Sequence, residues 1–234
     1  MDLTKTRISA AVVLGVAMTA GVLPAPAMAQ QAGEWLVRAG VATVAPDESS
    51  RVLTAAATGP LAGTGVGVSN DTQLGLNVVY MLTDRVGLEL LAATPFEHDL
   101  SVDGLAQYGF TTTDLGSTKH LPPTVSALYY FNGPDARLRV YGGAGVNFTT
   151  FFSEKLSPQA RTELAADRLK LDDSWGLSLS VGADFRLDET WTLSGAVRRL
   201  DISTDASLNS ALGRITTSVD IDPWVYMLSV GYVF

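Results

Sequence analysis

From Trp224 onward the chain sets Trp224, Tyr226, Leu228, Val230, Tyr232 and Phe234 on alternate positions, with Val225, Met227, Ser229, Gly231 and Val233 between them. Successive side chains of a strand point to opposite faces. The segment therefore reads as a strand with one large, aromatic-rich apolar face, running to the last residue. In water such a face gains little at a chain end. Against lipid the bilayer solvates it, and the rings settle at the membrane boundary. The pattern predicts a barrel strand facing acyl chains.

The opposite end of the chain agrees with export. Lys5 and Arg7 precede an apolar stretch from Ile8 to Leu23, and Ala27-Met28-Ala29 supplies an A-x-A cleavage signature. Residues 1–29 are expected to be a cleaved signal peptide, with cleavage before Gln30, and residues 30–234 an outer-membrane barrel domain. Of 16 basic and 24 acidic side chains, losing Lys5, Arg7 and Asp2 leaves 14 and 23, a net charge of −9. That balance argues against nucleic acid as a partner. The chain has no cysteine, so an exported fold must be held by other means, and the hydrogen bonds of a closed sheet would serve. The remaining chain has no stretch long and apolar enough for a membrane helix, but barrel strands need only about 9–11 residues.

Period-two segments recur over residues 33–44, 72–82, 86–96, 120–131, 137–152, 174–187 and 191–200, and the last ends at Phe234. Connections after the second, fourth and sixth are a few residues long, whereas those after the first, third, fifth and seventh run to roughly twenty or more. The fold class expected is all-β: an eight-stranded antiparallel transmembrane up-and-down β-barrel with short periplasmic turns and four long extracellular loops. Closure matters because lipid offers no partner to an unpaired edge. Ser157-Pro158, with Leu156, Ala160 and Leu164 on a shared face, predicts a short helix over the barrel mouth. The connection from Ala45 to Asp71, rich in Ala, Gly, Ser and Thr, offers little fixed shape by composition.

Three features turn the apolar face outward. The opposite face is built mostly from Gly, Ser, Thr and Asn, which suits a narrow lumen. Charged residues make up 17% of the chain, below the usual share of about 25%. All four tryptophans fall on the apolar face near strand ends, Trp35 and Trp191 at the periplasmic end, Trp175 and Trp224 at the outer end. They form an aromatic girdle, to which Tyr80, Tyr129, Phe131, Tyr232 and Phe96 add. Tyr232 and Phe234 are the expected C-terminal signal for the outer-membrane assembly machinery. Arg199 falls on the outward face, near enough to the outer end to snorkel.

Several blocks resemble the OmpW family of small outer-membrane barrels: Gly33-Glu34-Trp35 through Arg38-Ala39-Gly40; Thr72-Gln73-Leu74-Gly75-Leu76; Glu89 through Phe96; His120-Leu121-Pro122-Pro123-Thr124; Gly143-Ala144-Gly145 with Asn147 and Thr149 through Phe152; Asp173-Ser174-Trp175-Gly176; and Asp222-Pro223-Trp224-Val225. The resemblance spans the whole chain after the leader. It implies a narrow hydrophobic channel for small apolar molecules, with lateral release into the membrane, and loops that act as receptors for protein toxins. It also implies an apolar constriction of two channel-lining residues. Leu91 matches one of them, whereas Arg198 stands where the family carries Trp, a departure that relocates the gate or narrows the lumen there by charge pairing rather than by apolar packing.

The inward charges Arg38, Glu89, Arg139, Asp184 and Arg186 all fall in the periplasmic half by strand direction. Opposite charges in a poorly hydrated lumen should pair. They form either a salt-bridge plug that shuts the periplasmic end or a structural network in a barrel too thin to be a pore. An enzymatic reading, a lipid A acylhydrolase or acyltransferase, is kept beside these: His98 and His120, the two histidines of the chain, lie at the outer ends of neighbouring strands, with Asp99 and Ser101 nearby in sequence. A third reading is a structural or receptor barrel without transport. No metal cluster, phosphate-cradling loop or cofactor signature appears. The partners expected are outer-membrane lipid, small apolar solutes and the assembly machinery.

Overall fold

The computed structural model describes residues 30–210 and 213–234. The expected signal peptide, residues 1–29, lies outside the described residues. Eight strands form a closed antiparallel ring: β1 (Trp35–Ala45), β2 (Asp71–Met81), β3 (Val86–Ala93), β4 (Thr124–Tyr130), β5 (Leu138–Leu156), β6 (Ser174–Arg186), β7 (Trp191–Leu200) and β8 (Trp224–Val233). Sequential neighbours pair all the way round. Closure comes from β8 against β1, with Leu36 opposite Val233 and Ala45 opposite Trp224. No edge of the ring is left to solicit hydrogen bonds from lipid. The alternation seen in the sequence is the alternation of faces: on β6, Trp175 is 73% and Leu179 62% exposed, whereas Ser178 and Asp184 are each 1%.

The short connections are tight. Asp188 Oδ1 accepts from the backbone N–H groups of Thr190 and Trp191, both at 2.8 Å, which closes the turn between β6 and β7. Two close approaches demand glycine. A Cβ at Gly40 would lie 2.0 Å from the Leu228 carbonyl oxygen, and one at Gly145 would lie 2.1 Å from that of Val125. Neighbouring strands can meet there only without a side chain.

The long connections are not featureless. The upper part of β5 pairs with the strand Asp114–Leu121, which pairs with Phe96–Asp103, which in turn pairs with Gly65–Val68. A second sheet is built from Arg168–Leu171, Ser203–Ser210, Gly213–Asp220 and short strands of the first connection. These form a collar above the barrel. The expectation of little fixed shape over residues 45–71 is corrected: four short strands form there, and Leu53, Ala55 and Leu61 are buried. Two-residue strands carry no readable period, and their shape comes from pairing with Gly213–Asp220. Thr64 Oγ1 adds a local clamp, accepting from Leu53 N–H at 2.9 Å and donating to the Leu61 carbonyl at 2.7 Å. The expected helix forms as α1 (Pro158–Glu163), with Ser157 Oγ accepting from Ala160 N–H at 3.0 Å; Leu156, Ala160 and Leu164 bury its apolar side.

The seam between β3 and β4 is interrupted. The last rung joins Leu91 to Thr124, and the next, above it, joins Phe96 to His120. Residues 92–95 on one side face residues 121–123 on the other, so one strand carries an extra residue, as in a bulge. Pro95, Pro122 and Pro123 have no N–H to give. The Pro122 and Pro123 carbonyls turn instead to β5, accepting from Asn147 Nδ2 at 3.2 and 3.4 Å, and Phe148 N–H reaches Pro123 at 3.0 Å. The extra residue overturns one expectation: Phe96 does not join the outer girdle but is 2% exposed, inside, stacked on His120.

Candidate functional site

Inside the barrel, β1, β3, β6 and β7 each contribute one buried charge at nearly one level. Arg38 Nη2 donates to Asp184 Oδ2 at 2.6 Å and to Tyr130 Oη at 2.8 Å, while its Nη1 reaches Glu89 Oε2 at 3.4 Å. Glu89 Oε2 also accepts from Asn77 Nδ2 at 2.9 Å, and its Oε1 pairs with Arg198 Nη2. Arg198 Nη1 donates to Ser126 and Ser178, at 3.0 and 3.2 Å. Asp184 Oδ1 accepts from Ser194 at 2.7 Å. Two guanidinium groups and two carboxylates thus form one continuous, charge-balanced layer. Burying such groups is tolerable only when the charges are paired; within this layer, the buried Arg38 Nε and Asn77 Oδ1 are left without a hydrogen-bond partner.

The sequence-predicted residues divide within this layer. Arg38, Glu89 and Asp184 meet. Arg139 stays just below: it donates to the backbone and side-chain oxygens of Gln30 at 2.8 and 3.0 Å and to the Asp84 carbonyl at 2.5 Å, with its guanidinium 4.2 Å from the Tyr130 ring centre. Gln30 Nε2 completes the link, reaching Asp184 at 3.4 Å. Arg186 is not part of the layer. It is the last residue of β6, and it donates to the Asp135 carbonyl at 2.6 Å in the neighbouring turn. Arg198 joins the charges and so belongs to the polar layer, not to an apolar constriction. Leu91 is buried among the apolar side chains of the barrel's upper half, including Ala42 and Met227. Tyr130, Asn77, Ser194 and Gln30 were not singled out from the sequence. Their inward parity on β4, β2 and β7 was the available signal for the first three.

Above the charges lies an apolar cavity of about 50 Å³, between the two collar sheets. Leu100, Leu115, Phe151, Ile202, Leu208 and Ile215 line it, together with Thr118, Thr149, His98 and His120. None of the lining side chains carries a formal charge with both imidazoles neutral. Neither Leu91 nor Arg198 borders it. Its wall comes largely from the long connections, where short strands gave little warning of an inner face.

His98 and His120 stack with ring centres 4.8 Å apart and planes within 10°. His98 Nδ1 donates to the Ser69 carbonyl. Burial holds the His98 imidazole below its ordinary value, and burial together with the neighbouring His98 pulls His120 down to about 3. Asp99 and Ser101 lie on the opposite, exposed face of the same strand. Period two therefore separates the residues of the enzymatic reading rather than gathering them. Among the described residues, no group of three or more His, Asp or Glu side chains is arranged to hold a metal ion.

On the outside, Trp35 and Trp191 mark the lower rim, where Trp191 packs against Tyr232 at 4.9 Å and Tyr232 against Phe234 at 4.8 Å. Trp175 and Trp224 mark the upper rim. Arg199 is outward as expected, and it also finds partners. Nη1 lies 3.0 Å from Asp47, Nη2 lies 3.8 Å from Asp222, and the guanidinium stands 5.3 Å from the Trp224 ring centre.

A closed eight-stranded barrel with an apolar girdled exterior, a charged layer within and an apolar cavity above defines a small outer-membrane barrel protein. The OmpW family model matches residues 31–234. Outer membrane protein W of Vibrio cholerae serotype O1 is 42% identical over 225 residues, covering 95% of this chain and 98% of that protein. Outer membrane protein W of Escherichia coli K12 is 40% identical over 212 residues, covering 91% and 93%. The crystal structure of OprG from Pseudomonas aeruginosa superposes with a TM-score of 0.83 at 41% identity, covering 88% of this chain and 99% of that one. This chain belongs to the OmpW family and resides in the outer membrane.

Proposed function

We propose that this barrel admits small hydrophobic molecules from outside, holds them in the apolar cavity and releases them sideways into the membrane. The observation that carries this reading is the stacking of two incompatible layers. An uncharged apolar cavity sits above a buried, charge-paired layer, so an apolar solute has no favourable path down the axis. The unpaired stretch between the Leu91–Thr124 and Phe96–His120 rungs lies between these layers and offers a way out through the wall. The narrowness of the cavity disfavours a hydrated sugar. A more distant relative, 26% identical over 212 residues, is named dibenzothiophene metabolism operon protein PahQ in Pseudomonas aeruginosa, which accords with apolar cargo.

In this reading the layer of Arg38, Glu89, Asp184 and Arg198, with Arg139 and Gln30 beneath, is the periplasmic plug. Residues 1–29 direct export and are removed. Tyr232 and Phe234, together at the lower rim, are read by the assembly machinery. Leu91, on the last rung below the unpaired stretch, lines the exit end of the path. The competing reading, a receptor barrel with no transport, draws on the same seal: a closed axis suits a molecule that works only through its collar. Uptake into proteoliposomes separates the two. Alkane-like solutes should enter faster than through protein-free vesicles while sugars do not. Equal exclusion of both would leave the receptor reading, and a preference for sugars would undo the apolar path.

A further inference from the structure

Two buried polar atoms stand out among the residues that line the cavity. The Nε2 atoms of His98 and His120 are both buried and have no hydrogen-bond partner. Leaving a buried acceptor unsatisfied costs about 1–3 kcal/mol, so each such group calls for an explanation. The protonation of His98 follows from its other nitrogen. The Ser69 carbonyl can only accept, so Nδ1 carries the hydrogen. In the neutral ring, Nε2 is then a bare acceptor.

We propose that the stacked His98–His120 pair is a hydrogen-bonding subsite of the cavity, and that the solute it selects is a neutral apolar chain or ring bearing one hydroxyl, an alcohol or a phenol. The inference rests on the passage reading above and narrows its substrate class. The hydroxyl donates to His98 Nε2 while the apolar body lies among Leu100, Phe151 and Ile215. Other ligand classes fit less well. A carboxylate would find no cation, because no lysine or arginine lines the cavity. A single metal ion would need two lone pairs that converge. Imidazole lone pairs lie in the ring plane, and these planes are within 10° of parallel at 4.8 Å, so the lone pairs run side by side. A plain hydrocarbon would leave both nitrogens without a partner.

The test uses the full refolded chain in lipid bicelles with ¹⁵N-labelled histidine, and a matched pair of probes, 4-ethylphenol and ethylbenzene. After correction for partition into protein-free bicelles, the phenol should bind about tenfold more tightly, the worth of one hydrogen bond at the upper end of the usual range. The His98 Nε2 resonance should move with the phenol and stay with ethylbenzene. In His98→Phe and His120→Phe, checked for folding by gel mobility before and after heating, the preference should fall toward parity. Equal affinities in the wild type, an unmoved Nε2 resonance, or a preference that survives both substitutions would each overturn the subsite. The wild-type measurement stands even if a variant fails to fold. Vesicle flux keeps the two readings apart: selective binding without flux of either probe supports the subsite and sinks passage, whereas flux of both probes at equal affinity does the reverse.

Discussion

Replacing Glu89 with Gln should disturb the lumen more than any other single change of charge. Glu89 is fully buried, and two arginines converge on its carboxylate. At an effective dielectric of about 20, a unit pair at the Arg38–Glu89 separation of 3.4 Å attracts by about 5 kcal/mol. The Arg198 pair adds a similar gross amount. Against this, the variant no longer incurs the desolvation of the carboxylate, so the net loss settles near the 3–5 kcal/mol typical of a broken buried pair. Arg198 is then left with neutral acceptors alone, and most of the loss is its stranded charge.

That origin gives a sharper measurement than the single variant. Glu89→Gln with Arg198→Leu restores neutrality, leaving Arg38 on Asp184. The double variant should therefore be more stable than the sum of the two single losses by about 2 kcal/mol or more. Urea unfolding from phospholipid vesicles, followed by tryptophan fluorescence, gives all corners of the cycle. A loss below about 1 kcal/mol for Glu89→Gln, or strict additivity in the double, would refute the reasoning. Planar-bilayer conductance, recorded on the same proteins and on a Glu89→Ala/Asp184→Ala variant, asks what the layer is for. Raised conductance marks a plug. Unchanged conductance with lost stability marks a structural filler.

The histidine pair predicts an acid sensitivity. Both imidazoles titrate lower folded than unfolded, so the unfolded chain binds more protons, and stability falls as pH drops below the unfolded value of about 6.5 toward the folded one. With His120 held at about 3, it alone should remove about 1.4 kcal/mol per pH unit in this window. Urea midpoints at pH 7.5 and 5 should differ, and the difference should shrink in His120→Phe; a flat profile in the wild type contradicts the burial argument. Gly40→Val should prevent pairing of β1 with β8 and abolish the compact, heat-modifiable gel form, since its first side-chain carbon already collides with backbone. Ser157→Ala should cost about 1 kcal/mol locally, visible as faster hydrogen exchange at Ala160 with the barrel amides unchanged. Deleting Phe234 should lower the yield of membrane-inserted barrel in cells, and an undiminished yield would remove it from the assembly signal.

Much of the barrel was legible because lipid enforces a simple rule. Every outward residue of β6, from Trp175 through Leu177, Leu179, Val181 and Ala183 to Phe185, is apolar, while Ser178, Ser180, Gly182 and Asp184 face inward, and period two cannot be missed over such a length. The collar obeys no such rule. Several of its strands have only two to four residues, and their partners can be distant in sequence, as Thr54 is from Thr216. Composition then reads as loop. The polar layer was half visible: inward charges could be counted from parity, but parity says nothing of reach. Arg186 has the same phase as Asp184 yet spends its hydrogen bonds on a turn, while Arg198, read through the family's apolar constriction, swings into the charges. The cavity was hidden because its wall is assembled from four separate connections.

The additional residue between Ala93 and Phe96 has a consequence for how one strand crosses from one solvent to another. On paper, Val86, Leu88, Leu90, Ala92, Phe96, Leu100 and Val102 all fall on the same parity, with Thr94 and His98 between them. In space, the first four look out into hydrocarbon and the last three look in, while Glu97, Asp99, Ser101 and Asp103 meet water. A half-twist of the ribbon at the waterline thus lets one rhythm serve two media. Paired straight through, without that detour, the same sequence would send grease into the aqueous layer and carboxylates into the bore.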